Sequence, residues 1–318
     1  MKQLNKYFVF SDVHGEYDAL IQGLQEAGYE EHNPNHKLIS IGDAFDRGPD
    51  SNKVYRFLMS HGAICVKGNH DTFFQEYLEK GMDGEFVLFN ILHNGLGATI
   101  QSFTGCTFDV VDSATLHRMR GTISRDVLGY IQKMPLYYET QNFIFVHAGL
   151  HPHVEDWKSN DEHFMLWDID YSHSQMPLLN KCLVIGHHHA FRVRKHIEAE
   201  GVKPQEVERY TYETRADGLT TMRHPRACGN TDQHRPVLNG NKIAIDGCTN
   251  LTGKVNVLVI EDYPVDTDKT EEPTPQQDRT TIKYSNDGIF TTTADLNGTT
   301  TRWTVNYGEV VGDRNFFA

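Results

Sequence analysis

Three units of apolar run, polar loop and amphipathic segment follow one another at the start of the chain. Apolar runs rich in aromatic and β-branched residues predict strands over residues 7–10, 37–41 and 63–66. Apolar residues at helical spacing after each loop predict helices over residues 16–28, 51–61 and 73–80. The chain therefore begins with a repeated β-loop-α pattern.

The alternation continues further along the chain. Residues 81–129 have a mostly helical pattern, and strand-like runs follow at residues 137–146, 181–185, 242–246 and 254–260. Alternating strands and helices predict an α/β fold in which helices cover a sheet. Ligands of such sheets bind beyond the carboxyl ends of the strands, so the loops after the strands are the expected place for a site.

Two later segments break this pattern. Residues 199–240 have weak periodicity and frequent Arg and His, which predicts an insertion over or beside a functional site. Residues 280–311 are rich in Thr and contain Asn297-Gly298 between two β-prone runs, as in a hairpin. We therefore predict a catalytic domain over residues 1–262 and a linker with a small β-rich appendage over residues 263–318.

Composition narrows the class of protein. Of the 318 residues, 38% are apolar and 23% are charged, as in a globular protein. No apolar stretch is long enough for a membrane span or a signal sequence, so we expect a cytoplasmic protein without membrane contact. A formal net charge of -13 argues against general nucleic-acid binding, and five scattered cysteines predict neither disulfides nor a zinc ribbon.

Five loops after predicted strands contain residue types that bind metals or phosphate. In chain order these are Asp12 and His14; Asp43, Asp46 and Arg47; Asn69 and His70; His147; and His187 and His189. In an extended segment residues i and i+2 point to the same side. We therefore expect Asp12 with His14, and His187 with His189, each to reach one ion, with His188 pointing away.

The donor set and its size predict two metal ions. Carboxylates, imidazoles and one amide favour a transition metal over calcium or a structural zinc site. The candidate ligands exceed what one ion accepts, so we predict two divalent ions with Asp43 as the bridging carboxylate. Manganese is the expected metal, with iron, zinc, cobalt or nickel as alternatives.

Such a pair of ions predicts hydrolysis of a phosphate ester. Two adjacent ions can hold a bridging hydroxide and phosphoryl oxygens for an in-line displacement. A leaving alkoxide needs a proton, and His70 is the candidate general acid, with Asp46 to orient its imidazole. Arg47, together with Asn69, is expected to bind the phosphate.

Taken as a set, these motifs resemble the calcineurin-like metallophosphoesterases. The set comprises Asp-x-His, Gly-Asp-x-x-Asp-Arg-Gly, Gly-Asn-His-Asp, His-Ala-Gly and Gly-His-x-His. More narrowly, the chain is similar over about residues 4–261 to bacterial and phage serine/threonine protein phosphatases of the PPP type. The resemblance implies a four-layer α/β/β/α sandwich. It also implies two ligand sets, with Asp12, His14 and Asp43 on the first ion, and Asp43, Asn69, His147 and His187 on the second.

Two departures from these phosphatases leave the substrate open. Gly-His-x-His at residues 186–189 replaces their Gly-His-Thr-Pro, which makes His189 a candidate extra ligand of the first ion. Asp168 and Asp170 follow Trp167 where these phosphatases place an Arg that holds the phosphate; Arg192, Arg194 or an Arg of the insertion is a candidate replacement. We expect a phosphatase acting on phosphorylated proteins or small phosphomonoesters. The alternative is a dinucleoside-polyphosphate hydrolase or nucleotide phosphodiesterase, and a non-catalytic scaffold is a remote third.

Overall fold

A computed structural model describes residues 4–107, 112–198, 211–214, 220–223, 231–265, 279–284 and 288–293. Within these ranges two large β-sheets are covered by helices, which confirms the predicted α/β class. None of the helices in the described ranges has the length and apolar character needed to cross a bilayer.

The first sheet has six strands. They are β1 (Asn5–Phe10), β2 (His36–Ile41), β3 (Ile64–Val66), β11 (Leu258–Asp262), β12 (Arg279–Tyr284) and β13 (Gly288–Thr293). Their order is β13-β12-β11-β1-β2-β3. Strands β1, β2 and β3 are parallel, with Phe8 opposite Leu38 and Ser40 opposite Cys65, whereas β11 runs antiparallel to β1.

The second sheet has five strands. They are β4 (Tyr137–Glu139), β5 (Phe143–Val146), β6 (Cys182–Ile185), β9 (Val237–Asn239) and β10 (Lys242–Ala244), in the order β4-β5-β6-β10-β9. Strands β5, β6 and β10 are parallel. A separate antiparallel pair is formed by β7 (Thr211–Thr214) and β8 (Thr220–Arg223).

The helices follow the strands in the predicted alternation. They are α1 (Tyr17–Glu26), α2 (Ser51–Ser60), α3 (Asn69–Lys80), α4 (Val87–Phe89), α5 (Leu96–Thr104), α6 (Ser113–Thr122), α7 (Arg125–Gln132), α8 (Glu162–Trp167), α9 (Ala190–Glu198) and α10 (Thr249–Thr252). Short 3₁₀ turns at Gly81–Asp83, Trp157–Ser159 and Thr231–His234 and a π-helical turn at Asn90–Asn94 complete the described helical structure.

Three apolar cores separate four layers, because side chains of a strand alternate between its two faces. Phe8 of β1 packs against the helices between α1 and α7, whereas Val9 faces the second sheet. In β5, Phe145 faces the first sheet, whereas Ile144 packs under α8 and α9. The layers are therefore helices, first sheet, second sheet and helices, as the resemblance implies.

Several predicted boundaries differ from the structure. Helix α3 begins at Asn69 rather than at Phe73, so the Gly-Asn-His-Asp motif forms the first helical turn. Residues 254–257 precede β11 and are not part of a strand, and β9 joins the second sheet although it lies within the predicted insertion at 199–240. The hairpin turn predicted at Asn297-Gly298 lies outside the described residues. Strands β12 and β13 extend the first sheet beyond β11.

Candidate metal centre

The candidate site residues lie where six parallel strands end. The loops after β1, β2, β3, β5, β6 and β10 bring together Asp12 and His14; Asp43, Asp46 and Arg47; Asn69 and His70; His147; His187; and Asp246. Most of these side chains are buried, whereas Arg47 is exposed. The site therefore lies at the carboxyl edge of both sheets, the position that an α/β sheet favours for ligands.

The backbone of these loops adopts a rare conformation. Among the residues that the structure describes, seven non-glycine residues have a positive φ, and six are predicted site residues: Asp12, His14, Asp43, Asp46, Arg47 and His187. Such angles are unfavourable for side chains larger than glycine and concentrate at functional sites. Asp12 and His14, with φ of 50° each, are thus not in an extended segment, so their proximity does not come from the alternation of an extended chain.

The carboxylate of Asp43 faces two groups of potential ligands. Its Oδ2 lies 3.7 Å from Nε2 of His14, and its Oδ1 lies 3.3 Å from Nε2 of His147. Ligand atoms of His14, Asp43 and His70 lie within 4.8 Å of one another, as do those of Asp43, His147 and His187. Asp43 therefore belongs to both groups, as a bridging ligand must.

Two histidines have their lone pairs fixed by backbone carbonyls. Nδ1 of His14 donates to the carbonyl of Phe45 at 2.9 Å, and Nδ1 of His147 donates to that of Ile41 at 2.9 Å. A carbonyl only accepts, so both imidazoles direct the Nε2 lone pair into the site. This second hydrogen bond is the usual support of a metal-binding histidine. Burial lowers the pKa of His14 well below its usual value, which favours the neutral form that binds metals.

Asn69 and Asp12 connect the two halves of the site. Oδ1 of Asn69 lies 2.9 Å from Nε2 of His147 and 3.1 Å from Nδ1 of His187. Oδ2 of Asp12 accepts the backbone N–H of His187 at 3.1 Å, and its Oδ1 lies 4.0 Å from Nε2 of His14. The structure thus brings together Asp12, His14, Asp43, Asn69, His147 and His187 as the sequence predicted.

His189 lies apart from the two ligand groups. Its Nε2 is 3.7 Å from Oδ2 of the buried Asp246, and it belongs to neither group found among the described residues. Between the two candidate ligands, His188 points away from the site and its Nδ1 contacts Oγ of Ser172 at 2.5 Å. His189 is therefore not part of the group that contains His187, and its part in holding an ion stays a prediction.

His70 and Asp46 form a buried pair beside these groups. Nδ1 of His70 lies 2.9 Å from Oδ2 of Asp46, and Thr99 holds the same carboxylate by donating its hydroxyl to Oδ1 at 3.0 Å. Thr99 also accepts the N–H of Asp46 at 2.7 Å. The imidazole consequently directs Nε2 toward the site.

Arg47 lies between two imidazoles. Its guanidinium contacts Nε2 of His14 at 2.8 Å and Nε2 of His70 at 3.0 Å. Burial, followed by the neighbouring charge of Arg47, lowers the pKa of His14, and burial is also the main cause of the lowered pKa of His70. The Nε2 atoms of His14 and His70 thus both face the guanidinium cation of Arg47, so this part of the site accommodates positive charge.

The residues present fit two divalent ions. Burial raises the pKa of Asp43 well above its usual value, and the charges of Asp12 and Asp71 raise it further. Buried carboxylates this close together need positive charge to remain ionised. Two glycines leave room for these carboxylates. A Cβ on Gly68 would collide with Oδ1 of Asp43, and a Cβ on Gly186 would collide with Oδ2 of Asp12.

Asp71 and Asp246 are site residues to which sequence reasoning assigned no role. The carboxylate of Asp71 accepts the N–H groups of Gly68 at 2.8 Å, Asp43 at 3.1 Å and Ala44 at 3.1 Å. The sequence does contain a sign of the role of Asp71, because an acid at the third position of a helix is a common capping residue. Asp246 accepts the N–H of Cys248 at 2.7 Å, and nothing in its local sequence indicates that its side chain turns toward His189.

The loop after Trp167 supplies an acid at the position where the similar phosphatases have an Arg. Asp168 is buried, accepts the N–H groups of Asp170 at 3.1 Å and Tyr171 at 3.2 Å, and lies over Gly149. Burial raises the pKa of Asp168 to about 6. Arg194, one candidate replacement for the missing cation, donates to the carbonyl of Arg235 at 3.3 Å.

Comparison with known proteins gives the family. The sequence matches the family described as calcineurin-like phosphoesterase over residues 6–217. The bis(5'-nucleosyl)-tetraphosphatase PrpE of Bacillus velezensis is 39% identical over 160 residues, which are 45% of this chain and 56% of that protein. Serine/threonine-protein phosphatase 2 of Escherichia coli is 40% identical over 81 residues, 26% of this chain and 36% of that protein.

The matched segments span about half or less of the length of these two relatives. A metallophosphoesterase crystal structure from Sphaerobacter thermophilus is 13% identical with a TM-score of 0.41, and the match covers 83% of this chain and 89% of that one. The family match covers well over half of the sequence. The chain therefore belongs to the calcineurin-like phosphoesterase family of metal-dependent phosphoester hydrolases.

Proposed function

We propose that this chain hydrolyses phosphoesters at a centre of two divalent ions that share Asp43. The observation that best supports this proposal is that each oxygen of the Asp43 carboxylate faces a different ligand group. A carboxylate whose two oxygens face separate ligand groups could serve both ions. Apart from His70, which the proposal assigns another role, the members of the two groups would divide between the two ions.

In this proposal Asp12, His14 and Asp43 would hold the first ion, and His189, whose Nε2 lies 3.7 Å from Asp246, remains a further candidate ligand. Asp43, Asn69, His147 and His187 would hold the second ion. We propose manganese as the metal, since the mixed oxygen and nitrogen donors suit it. When bound, two such ions polarise the phosphoryl group and lower the pKa of water.

His70 acts in this proposal as the general acid. Asp46 accepts its Nδ1 proton at 2.9 Å, so a second proton on Nε2 points into the site, where it can pass to the leaving oxygen. The carboxylate of Asp46 would stabilise the imidazolium that carries this second proton, against the burial that lowers the pKa of His70. Arg47, which is exposed and already reaches Nε2 of His70, binds a non-bridging phosphate oxygen together with Asn69.

Two substrate classes are candidates. The first is a phosphomonoester such as a phosphorylated serine or threonine, in keeping with the relative named serine/threonine-protein phosphatase 2. The second is a dinucleoside polyphosphate, in keeping with the relative named bis(5'-nucleosyl)-tetraphosphatase. The buried carboxylate of Asp168 favours the second class. A terminal phosphate carries more negative charge than an internal one. Its binding is therefore weakened more when an acid such as Asp168 stands where the similar phosphatases have a cationic Arg.

A substrate panel tests the proposal. The manganese-loaded chain is assayed on a phosphoserine peptide, diadenosine tetraphosphate and bis-p-nitrophenyl phosphate, with and without a chelator. We expect chelator-sensitive hydrolysis of at least one substrate, and its rank among the three gives the bond that is cleaved. Hydrolysis that survives complete metal removal, or no hydrolysis of any of the three, would overturn the proposal.

Two further proposals come from the sequence. We propose a cytoplasmic location, and we propose that the catalytic domain ends near residue 262. A chain truncated after residue 262 tests the boundary, since it should fold and keep its metal content; failure to fold would show that β12, which pairs with β11, belongs to the catalytic domain.

A further inference from the structure

An aromatic pair borders the candidate site. Trp167 is the last residue of α8, and its side chain is 38% exposed. Phe73 lies one turn into α3, with its ring centroid 5.7 Å from that of Trp167 and the two planes tilted by 46°. The two rings therefore meet at an angle, in a wedge whose exposed part is the indole of Trp167.

The wedge lies beside both the proposed general acid and a proposed metal ligand. The ring of Phe73 lies 4.9 Å from that of the proposed acid His70, and the ring of Trp167 lies 6.1 Å from that of His187. His70 protonates the leaving oxygen in the proposed reaction, so the leaving group must remain beside it. Phe73 and Trp167 thus border the space that this group occupies.

The chemistry of the wedge selects a planar group. The imidazole of His163 stacks on Trp167 at 6.3 Å with an angle of 26°, so the indole already receives one flat ring. Exposed aromatic rings bind nucleobases by stacking, whichever base is present. The side chain of a phosphoserine or phosphothreonine offers no ring to fill such a wedge.

We propose that Trp167 and Phe73 form a stacking subsite for a nucleobase attached to the phosphate at the metal centre. The substrate class would then be nucleotide phosphoesters, including dinucleoside polyphosphates. This inference rests on the phosphoester chemistry proposed above, but its test uses binding rather than turnover. Its failure can therefore be told apart from a failure of the proposed function.

The test compares two ligands that differ only in the base. Calorimetric titration of the manganese-loaded chain gives dissociation constants for adenosine 5'-monophosphate and for ribose 5-phosphate. We expect the nucleotide to bind about tenfold more tightly, within the range that one stacked base supplies. Equal affinities, or no binding of either ligand, would overturn the inference.

Variants assign the difference to the two rings. Trp167→Ala and Phe73→Ala should each bring the ratio of the two dissociation constants close to one. Because ribose 5-phosphate reports on the phosphate and metal contacts, a disturbed His187 would weaken both ligands and leave the ratio unchanged. Trp167→Phe should keep most of the ratio, and so should Phe86→Ala, which removes an exposed ring outside the wedge. A ratio that persists in both alanine variants contradicts the assignment.

A second ligand pair distinguishes a nucleobase from an aromatic side chain. Free phosphotyrosine and phosphoserine are titrated in the same way. We expect phosphotyrosine to gain less affinity over phosphoserine than the nucleotide gains over ribose 5-phosphate. The ring of phosphotyrosine is joined directly to the phosphate oxygen, so it lies closer to the metal centre than a nucleobase does. A gain equal to that of the nucleotide would show a subsite for aryl phosphates and overturn the assignment to nucleobases.

Discussion

Nδ1 of His70 lies 2.9 Å from Oδ2 of Asp46 at a point where both side chains are buried. Thr99 contacts both the carboxylate and the backbone N–H of Asp46, so the carboxylate cannot turn away from the imidazole without losing hydrogen bonds. The direction of Nε2 of His70 is therefore fixed by residues from three different segments. This arrangement allows a direct test of the acid role.

Replacing His70 by Asn should lower kcat while the metal content stays unchanged. General acid catalysis contributes about 10²- to 10⁴-fold, and we expect a loss in this range for a substrate with a poor leaving group. A substrate with a good leaving group, such as p-nitrophenyl phosphate, needs less protonation and should lose less. His70 also lies in the group with His14 and Asp43, so loss of bound metal in this variant would make it a ligand instead.

Asp71→Ala should destabilise the folded chain. The side chain accepts three buried backbone N–H groups, from Gly68, Asp43 and Ala44, and each is left without a partner in the variant. An unsatisfied buried donor costs about 1–3 kcal/mol, so we expect a loss of about 3 kcal/mol or more in the free energy of unfolding. Urea denaturation measures this loss. Asp83→Ala, at an exposed acid, is the control, and an equal effect of the two changes would contradict the account.

Gly68→Ala should weaken metal binding. Gly68 has an extended backbone, with φ of -106° and ψ of 169°, so its torsions allow alanine, but the new Cβ would collide with both Oδ1 and the backbone N of Asp43. Displacing a supporting contact of a metal site costs about 10- to 100-fold in affinity, which a competition titration with a chelating dye measures.

Gly129→Ala is the matched control for this change. Gly129 lies within α7, and a Cβ there would meet no atom within 4 Å. We expect it to stabilise the chain by about 0.5–1 kcal/mol without changing metal affinity, as for a helical glycine. Equal metal affinities in the two glycine variants would refute the proposed crowding of Asp43.

Asp168→Asn should change how stability depends on pH. Burial raises the pKa of Asp168 to about 6 in the folded chain, above the value of about 3.9 for an unfolded chain. Between these values the folded state binds more protons, so the carboxyl lowers the free energy of unfolding as pH rises from about 4 to 6. Between pH 4 and pH 6 the free energy of unfolding of the variant should therefore rise by on the order of 2 kcal/mol relative to that of the wild type.

Urea denaturation at pH 4.5 and pH 7 measures this gain. The difference between variant and wild type cancels the contributions of the other buried carboxylates. Asp18→Asn, at an exposed acid on α1, should show no such change. A difference that is the same at both pH values would mean that Asp168 ionises normally.

The sequence predicts the position of the site because the rule behind it is topological. Parallel strands end at one edge of a sheet, so residues after β1, β2, β3, β5 and β6 meet there, however far apart they lie in the chain. Asp43 follows β2 and is predicted to be the carboxylate shared by the two ions. Its two oxygens indeed face His14 on one side and His147 on the other.

Other features depend on torsions and packing that the residue pattern does not contain. The sequence gives no sign that Asp12 and His14 adopt a left-handed backbone, which local propensity disfavours and the surrounding contacts impose. Large apolar residues such as Phe86, Phe89 and Leu92 are expected in a core from their residue type, yet each is more than half exposed. His189 was placed by motif alone, and its contact with Asp246 depends on how the loop after β10 folds.

The central claim is that Asp43 is shared by two ions, and metal stoichiometry tests it most directly. The wild-type chain, Asp43→Asn and the exposed-site control Asp18→Asn are loaded with manganese, desalted and analysed by plasma mass spectrometry. We expect about two ions per chain in the wild type and control, and fewer than one in Asp43→Asn, because an amide cannot bridge two cations with anionic oxygens. Two tightly bound ions in Asp43→Asn, or one in the wild type, would contradict the account.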